Sequence, residues 1–375
     1  MARPNRIFIT LCLACSVTLV VYIHWARTRG NTAEPPRSTA PMIEASPAST
    51  TIISATSETE KKKAGGESEQ QDKTVPSATA QNKFSKQVFF RYNGLDSHYG
   101  KLASVPFERT DQPNFIDTLS CEVAHIAGGR GICLAADRGI ITTYAAKLFD
   151  TKAFQLLAQL PLKGVPSRCR MSRDGKLAAL TVFVSGHGYA SINFSTQTLL
   201  VEADTGRIIA DLEDFKVSRD GNPISHKDFN FWGVTFTPDT QHFYATLSTN
   251  RQHLLVKGDI ANRSVSVIHD NVECPSLSPN ASRIAYKKRF MAEGRVYWQL
   301  HILDLATKRE TPLGEKRSVD DQLEWLDNDH VLYTLPETET GSSASTNIWL
   351  AAADGATAPT LFLKKAYSPS VVLSQ

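Results

Sequence analysis

Charge of one sign is missing from this chain: its 375 residues carry 41 Lys and Arg against 38 Asp and Glu. With no basic stripe interleaved with aromatics, the balance excludes a nucleic-acid-binding surface. The one lysine run, Lys61 to Lys63, is followed by Glu67 and Glu69 and reads as solvated chain. Cysteine is sparse as well. Cys121, Cys133, Cys169 and Cys274 lack metal-ligand spacing, and Cys12 and Cys15 fall inside an apolar run, which argues against a zinc site. Those four fit two disulfides in any of three pairings, or buried free thiols.

The motifs of several enzyme classes are also absent. There is no P-loop, no dinucleotide glycine motif and no His-Glu-x-x-His. The text nearest to a hydrolase elbow, Phe183-Val184-Ser185-Gly186-His187-Gly188, lacks the first glycine and any α/β pattern to hold it. His187 reads as a residue that shapes or lines a loop. Asp320 and Asp321 with Glu324 could act as paired carboxylates or Ca²⁺ ligands, set against a solvated acidic turn. No cofactor is expected.

Long apolar runs are limited to one. Ile7 to Ile23 holds no charge and lies between Arg3 and Arg6 on one side and His24, Arg27 and Arg29 on the other. It is as long as the shortest spanning helices and just longer than a signal-peptide core. With no clear small-x-small cleavage site, residues 1–30 are expected to form a signal anchor with the N-terminus inside; a cleaved signal is the alternative. Residues 31–83, rich in Ser, Thr, Ala, Pro, Glu and Lys, are expected to form a disordered linker. From Phe84 to Gln375, aromatic and β-branched residues reach the density of a folded domain.

Within that domain one pattern recurs six times: an apolar strand, a turn rich in Pro, Asp, Asn or Gly, and a second apolar strand, at roughly 42- to 64-residue intervals. The clearest copy is Pro275-Ser276-Leu277-Ser278-Pro279-Asn280-Ala281-Ser282-Arg283-Ile284-Ala285-Tyr286. Others start at Arg170, Val234 and Leu323, with weaker ones at Val123 and Tyr367. Pro presets φ, while Asp, Asn and Gly accept the geometry of a tight turn, so each copy reads as a hairpin. Five such hairpins and a sixth copy with only its first strand, in order, imply a ring of sheets.

Ser278-Pro279-Asn280-Ala281-Ser282-Arg283-Ile284-Ala285-Tyr286 and Ser172-Arg173-Asp174-Gly175 resemble the Ser-Pro-Asp-Gly-x-x-Ile-Ala-Tyr motif of TolB-like β-propellers, and the resemblance runs from about Val88 to Leu373. It implies an all-β, six-bladed propeller in which the motif joins the innermost strand of each blade to the second. Innermost strands then fall at Glu122 to Ala127, Arg168 to Ser172, Gly233 to Thr237, Pro275 to Ser278, Gln322 to Leu326 and Tyr367 to Val372. The last has no following strands, so the sixth blade is expected to take its other three from Gln87 to Arg91, Tyr99 to Val105 and Asn114 to Leu119. Val184 to Thr196 reads as a long ordered loop, and Glu213 to Trp232 as an insertion with its own turn at Asp220-Gly221-Asn222-Pro223.

In this frame the loops entering the innermost strands and those joining second to third strands share one face. There the sequence places Glu122, Arg168, Phe231, Trp232, Glu273, Asp320, Asp321 and Tyr367, with His187 and Tyr189 from the long loop. Arginine and aromatics beside carboxylates suit a peptide or glycan. The expected function is a membrane-anchored, extracytoplasmic binding or scaffolding module with a protein or peptide partner in the cell envelope. The alternative is an envelope hydrolase or lyase working through channel-mouth carboxylates or Ca²⁺.

Overall fold

Alternating apolar residues between tight turns fold as strands throughout the computed structural model, which describes residues 86–186, 188–189, 194–226, 228–337 and 345–373. The anchor (1–30) and linker (31–83) expected from the sequence lie outside the described residues, as does His187. Three strands come first: β1 (Lys86–Tyr92), β2 (Lys101–Pro106) and β3 (Asn114–Ser120). Blade I follows with β4 (Val123–Ala127), β5 (Arg130–Arg138), β6 (Thr142–Asp150) and β7 (Leu156–Leu162). Blade II holds β8 (Val165–Met171), β9 (Leu177–Ser185), β10 (Ser195–Glu202) and β11 (Ile208–Asp211). A hairpin of β12 (Lys216–Arg219) and β13 (Asn222–Ile224) precedes blade III, whose strands are β14 (Asn230–Phe236), β15 (His242–Thr249), β16 (Gln252–Asp259) and β17 (Ser264–Asp270). Blade IV comprises β18 (Glu273–Leu277), β19 (Arg283–Ala292), β20 (Arg295–Asp304) and β21 (Glu310–Pro312). Blade V comprises β22 (Glu324–Trp325), β23 (His330–Pro336), β24 (Thr346–Ala352) and β25 (Thr360–Leu363), and β26 (Ala366–Leu373) ends the series.

These strands form six sheets, and the sixth has the order β26-β1-β2-β3. The C-terminal strand pairs antiparallel with the first, Val88 opposite Val371 and Phe89 opposite Ser370. The ring is therefore closed by joining the first and last described strands within one blade, as the unpartnered sixth copy implies. The inserted hairpin has a use the sequence did not reveal. Its β12 pairs in parallel with β17, Val217 opposite Val265, so blade III becomes a six-stranded sheet with its outer edge covered.

Apolar side chains meet between neighbouring blades. Ile132 and Leu134 of blade I pack with Leu180 and Val182 of blade II, all at most 2% exposed. Each such side chain stabilises the fold by about 1.5 to 3 kcal/mol.

The repeated turns have a common hydrogen-bond plan. In blade II the Ser172 hydroxyl donates to Asp174 Oδ1 (2.7 Å) and accepts the Leu177 N–H (2.9 Å). In blade IV Ser278 donates to Asn280 Oδ1 (2.8 Å) and accepts the Arg283 N–H (3.0 Å). Asn can replace Asp there because only the acceptor oxygen is used. Arg173, standing where the motif has Pro, reaches from the blade II turn to the blade IV turn and donates to the carbonyls of Ser278 (2.5 Å) and Pro279. Gly128 and Gly175 sit where the first two turns touch, both at positive φ, and a Cβ on Gly128 would come within 2.3 Å of the Gly175 nitrogen. The turns of blades I, II and IV are thereby tied together.

The cysteines divide between the two alternatives. Cys121 and Cys133 form a disulfide linking the entry of β4 to β5, while Cys169 and Cys274 are buried free thiols.

Candidate binding face and channel mouth

The opposite, upper face carries the nominated residues that the structure describes, His187 not being among them. Most of them lie beneath its surface. Tyr189, Trp232, Glu273 and Asp321 are each at most 4% exposed, and Phe231 is fully buried in the core that blade III shares with blade II. Phe231 and Trp232 are consecutive in a strand, so they point to opposite sides of the sheet. Trp232 joins Tyr189 (ring centroids 4.9 Å apart) and Phe194 (5.5 Å). The described part of the long blade II loop is thus anchored by its aromatics.

Lys287 of β19 stands at the centre of the cluster. Its fully buried ammonium lies 3.6 Å from Glu273, donates to Asp320, and sits 4.8 Å above the Tyr189 ring and 4.4 Å above the Trp298 ring. Arg168 reaches Asp320 (3.3 Å) from β8, and Arg289 reaches Glu273 (3.5 Å). The Trp298 indole donates to Glu273 (3.1 Å). Burial opposes the charge on Lys287, but Asp320 and Glu273 outweigh it and raise the pKa above the ordinary lysine value. Burial likewise opposes ionisation of Asp320, and Lys287 and Arg168 reverse it, so the carboxyl titrates below its ordinary range.

One backbone feature makes this packing possible. Gly233 has φ +65°, and a Cβ there would fall 2.6 Å from the Cα of Cys274, itself at φ 52°. The two innermost strands carry register shifts beside these residues, between Trp232 and Thr235 and between Glu273 and Ser276. A shift of this kind breaks the two-residue alternation and re-aims side chains.

The axial channel is narrow. A cavity of about 20 Å³ lies among His125, Arg168, Arg170, Asp321, Gln322 and Tyr367. That is space for about one water. Asp321 accepts the backbone N–H groups of Gln322 (2.8 Å) and Thr334 (2.9 Å), and burial raises its pKa. Burial also pushes the half-buried Tyr367 phenol up to about 12. Below them Arg170 donates to Glu324 and to the Leu323 carbonyl (2.9 Å). His125 Nδ1 accepts the Met171 N–H (3.1 Å), and its Nε2 lies 3.0 Å from Arg170 Nη1 and 3.4 Å from Glu324.

Glu122 belongs to a separate group, paired with Arg138 (2.7 Å) and Arg91 (3.9 Å). Asp320, Asp321 and Glu324, the carboxylates considered for Ca²⁺, and Glu122 and Glu273 beside them are therefore each bound by cations or amides of the chain. No group of three or more His, Cys, Asp or Glu among the described residues could hold a metal ion. His125, Arg170, Lys287, Arg289 and Trp298 were not foreseen. The first two are legible in hindsight, since they stand at alternate positions of innermost strands and such positions face the axis.

The buried charges set a pH dependence. In Glu324, Glu315 and Glu310 burial opposes ionisation, yet Arg170, Arg317 and Lys288 respectively outweigh it and hold each pKa at about 2. Carboxyls depressed from the ordinary 4.5 stabilise the fold above that value, and the contribution disappears as pH falls toward 2. Burial keeps His125, His253 and His301 neutral, so protonation of the unfolded chain weakens the fold below about pH 6.5. Glu213, raised to about 8 by burial, and Asp321 act in the opposite sense and gain stability on acidification. From pH 7 to 5 the two effects oppose each other. Calorimetry should therefore show a shallow change there and a steep fall in unfolding temperature between about pH 4.5 and 3; a higher midpoint at pH 3 than at pH 5 would contradict this assignment.

No family model and no curated protein matches the chain. Among solved structures, it resembles TolB from Acinetobacter baumannii with a TM-score of 0.53 and 16% identity over 77% of this chain and 66% of that one. A chain of a Nidogen/Laminin complex matches at 0.51 and 11% identity, over 77% of this chain and 99% of its own. A putative TolB from Agrobacterium tumefaciens gives 0.43 and 10%, over 75% and 88%. Such identities speak to architecture, and with six four-stranded repeats closed by β26 and β1, this chain has the TolB-like β-propeller fold.

Proposed function

We propose that the chain is an extracytoplasmic, membrane-tethered binding module that docks a protein partner on its upper face. One observation carries this reading. Of the twelve exposed large apolar side chains among the described residues, seven lie at or beside the upper-face turns joining second to third strands. Leu95 and Tyr99 stand on the sixth blade, Ile140 and Ile141 on blade I, Val184 on blade II, and Phe290 and Met291 on blade IV. Ile140 and Ile141 are the most exposed of all, at 108% and 78%. Apolar surface gathered on one face favours association.

Catalysis is disfavoured at the cavity among Arg168, Arg170 and Tyr367, which holds about one water and whose neighbouring carboxylates, Asp321 and Glu324, are already bonded. The Cys121–Cys133 disulfide supports an oxidising compartment, and the apolar run Ile7 to Ile23 supports a tether. TolB and the Nidogen/Laminin complex lend the fold and no more.

The test is crosslinking in intact cells with wild type and the double variant Ile140→Glu/Ile141→Glu. Both side chains face solvent, so the unfolding midpoint should stay within about 1 °C while crosslinked partner falls at least about tenfold, as expected for charges in an apolar contact. Equal crosslinking by both forms would remove blade I from the docking face.

A further inference from the structure

Away from the channel mouth, the upper face contains a groove of about 340 Å³ between blades III and IV. Its walls are the β15–β16 turn, the Asp270–Asn271 connection and the upper end of β19. Leu254 is buried beneath it, while Phe290 is 39% and Met291 66% exposed. These are adaptable apolar walls, since an unbranched thioether repacks readily around a guest.

The polar groups of the groove are unevenly committed. Arg219 holds Asp270 through both carboxylate oxygens (2.8 and 2.7 Å). Asn271 is occupied by the Arg289 backbone, donating to its carbonyl (2.9 Å) and accepting its N–H (3.1 Å). Arg289 leans inward to Glu273 (3.5 Å) and donates to the Tyr189 carbonyl (2.8 Å). Arg251 is exposed on a two-residue turn whose residues, Asn250 and Arg251, both have positive φ (48° and 61°), and it has no carboxylate partner among the described residues. The one acid of the groove is neutralised and a guanidinium fork stands free at the rim.

We propose that this groove takes the C-terminal residue of a peptide partner, its terminal carboxylate on Arg251 and its apolar side chain against Phe290 and Met291. The inference rests on the reading of the upper face as a docking face and names what one part of it recognises. A guanidinium fork matches a carboxylate through two parallel hydrogen bonds. The volume lies at the lower end of the small-ligand range, which suits a chain end rather than a strand running through.

Short fluorescent peptides ending in Phe, titrated against the full-length protein in detergent by anisotropy, test it. Three forms are compared: the free acid, the C-terminal amide, and an amide with Asp placed before the Phe. The free acid should bind saturably, and both amides about tenfold more weakly. Arg251→Gln should cost the free acid the same factor and leave the amides and the unfolding midpoint unchanged. Met291→Asp should weaken all three. Equal binding of acid and amide, absence of saturable binding, Asp-amide binding as tight as the acid, or an unaffected Arg251→Gln variant would each overturn the assignment. The Ile140→Glu/Ile141→Glu pair lies on another blade, so a partner lost there while peptides ignore this groove would overturn the groove and leave the docking face standing.

Discussion

Lys287→Met should lower the unfolding midpoint by about 10 °C, corresponding to about 3 to 5 kcal/mol for breaking a buried ion cluster in a domain of this size. The substitution keeps an unbranched apolar stem and removes only the charge. It leaves Glu273, fully buried, with Arg289 at 3.5 Å and the Trp298 indole at 3.1 Å, and leaves Asp320 with Arg168 at 3.3 Å. Neither contact replaces an ammonium that had drawn both carboxylates together between two aromatic rings. Adding Glu273→Gln should recover part of the loss, because the second change removes the charge that the first left behind. A single variant as stable as wild type, by calorimetry at pH 7, would mean that the cluster contributes nothing net. The cluster lies under the upper face, so the double variant should also show whether partner binding needs the charges or only the scaffold.

The ring itself was legible because its signal is repetitive and local. Ser172, Thr237 and Ser278 each begin a turn whose next acceptor, Asp174, Asp239 or Asn280, closes the same hydrogen bond. Five turns and the unpartnered last strand place six innermost strands, and the observed strands agree with the expected ones to within a few residues. The sixth blade followed by counting, since a last strand without partners and three early strands without a leader complete each other. The β12–β13 hairpin was visible as an insertion, but nothing in Lys216 to Arg219 marks β17 as its partner. Parallel pairing between segments some fifty residues apart carries no turn signature, so pattern alone could not find it.

The site was legible only in part, for a physical reason. Face assignment from sequence assumes strict alternation, and left-handed residues at Gly233, Cys274 and Ser368 interrupt it in three innermost strands. Glu273, Asp320 and Arg168 were found as residues entering the ring, yet Lys287 and Trp298, which draw two of them together, come from second and third strands. Seen along the chain they resemble ordinary strand residues. Only folding reveals that the β19–β20 hairpin brings an ammonium and an indole over the same carboxylate. The channel charges were hidden differently: Arg170 lies within the motif copy and was read for its turn, not for its side chain.

Removing β26, by ending the chain before Ala366, should abolish cooperative unfolding and yield associated protein. The strand does more than fill a gap. Its Ser370 hydroxyl accepts the Ile126 N–H (3.2 Å), its Ser368 hydroxyl donates to the Ala124 carbonyl (2.8 Å), and its Val371 N–H donates to Glu324 (3.2 Å), so it ties blades I and V together across the sixth. Without it, the whole inner edge of β1 is left unpaired, a template for other chains. Size-exclusion chromatography and calorimetry read both consequences; a monomer that still melts in one sharp transition would show that closure is dispensable. The converse experiment adds a bond. Val88 and Val371 face each other across the seam, and opposed antiparallel residues lie about 4.5 to 5.5 Å apart, within disulfide reach. Val88→Cys/Val371→Cys should therefore oxidise readily and raise the midpoint by the several degrees that about 2 to 4 kcal/mol implies, a gain erased by reductant. If the seam is where the ring first opens, the gain should exceed that from an equally placed bond within blade I, whose strands are already joined by turns.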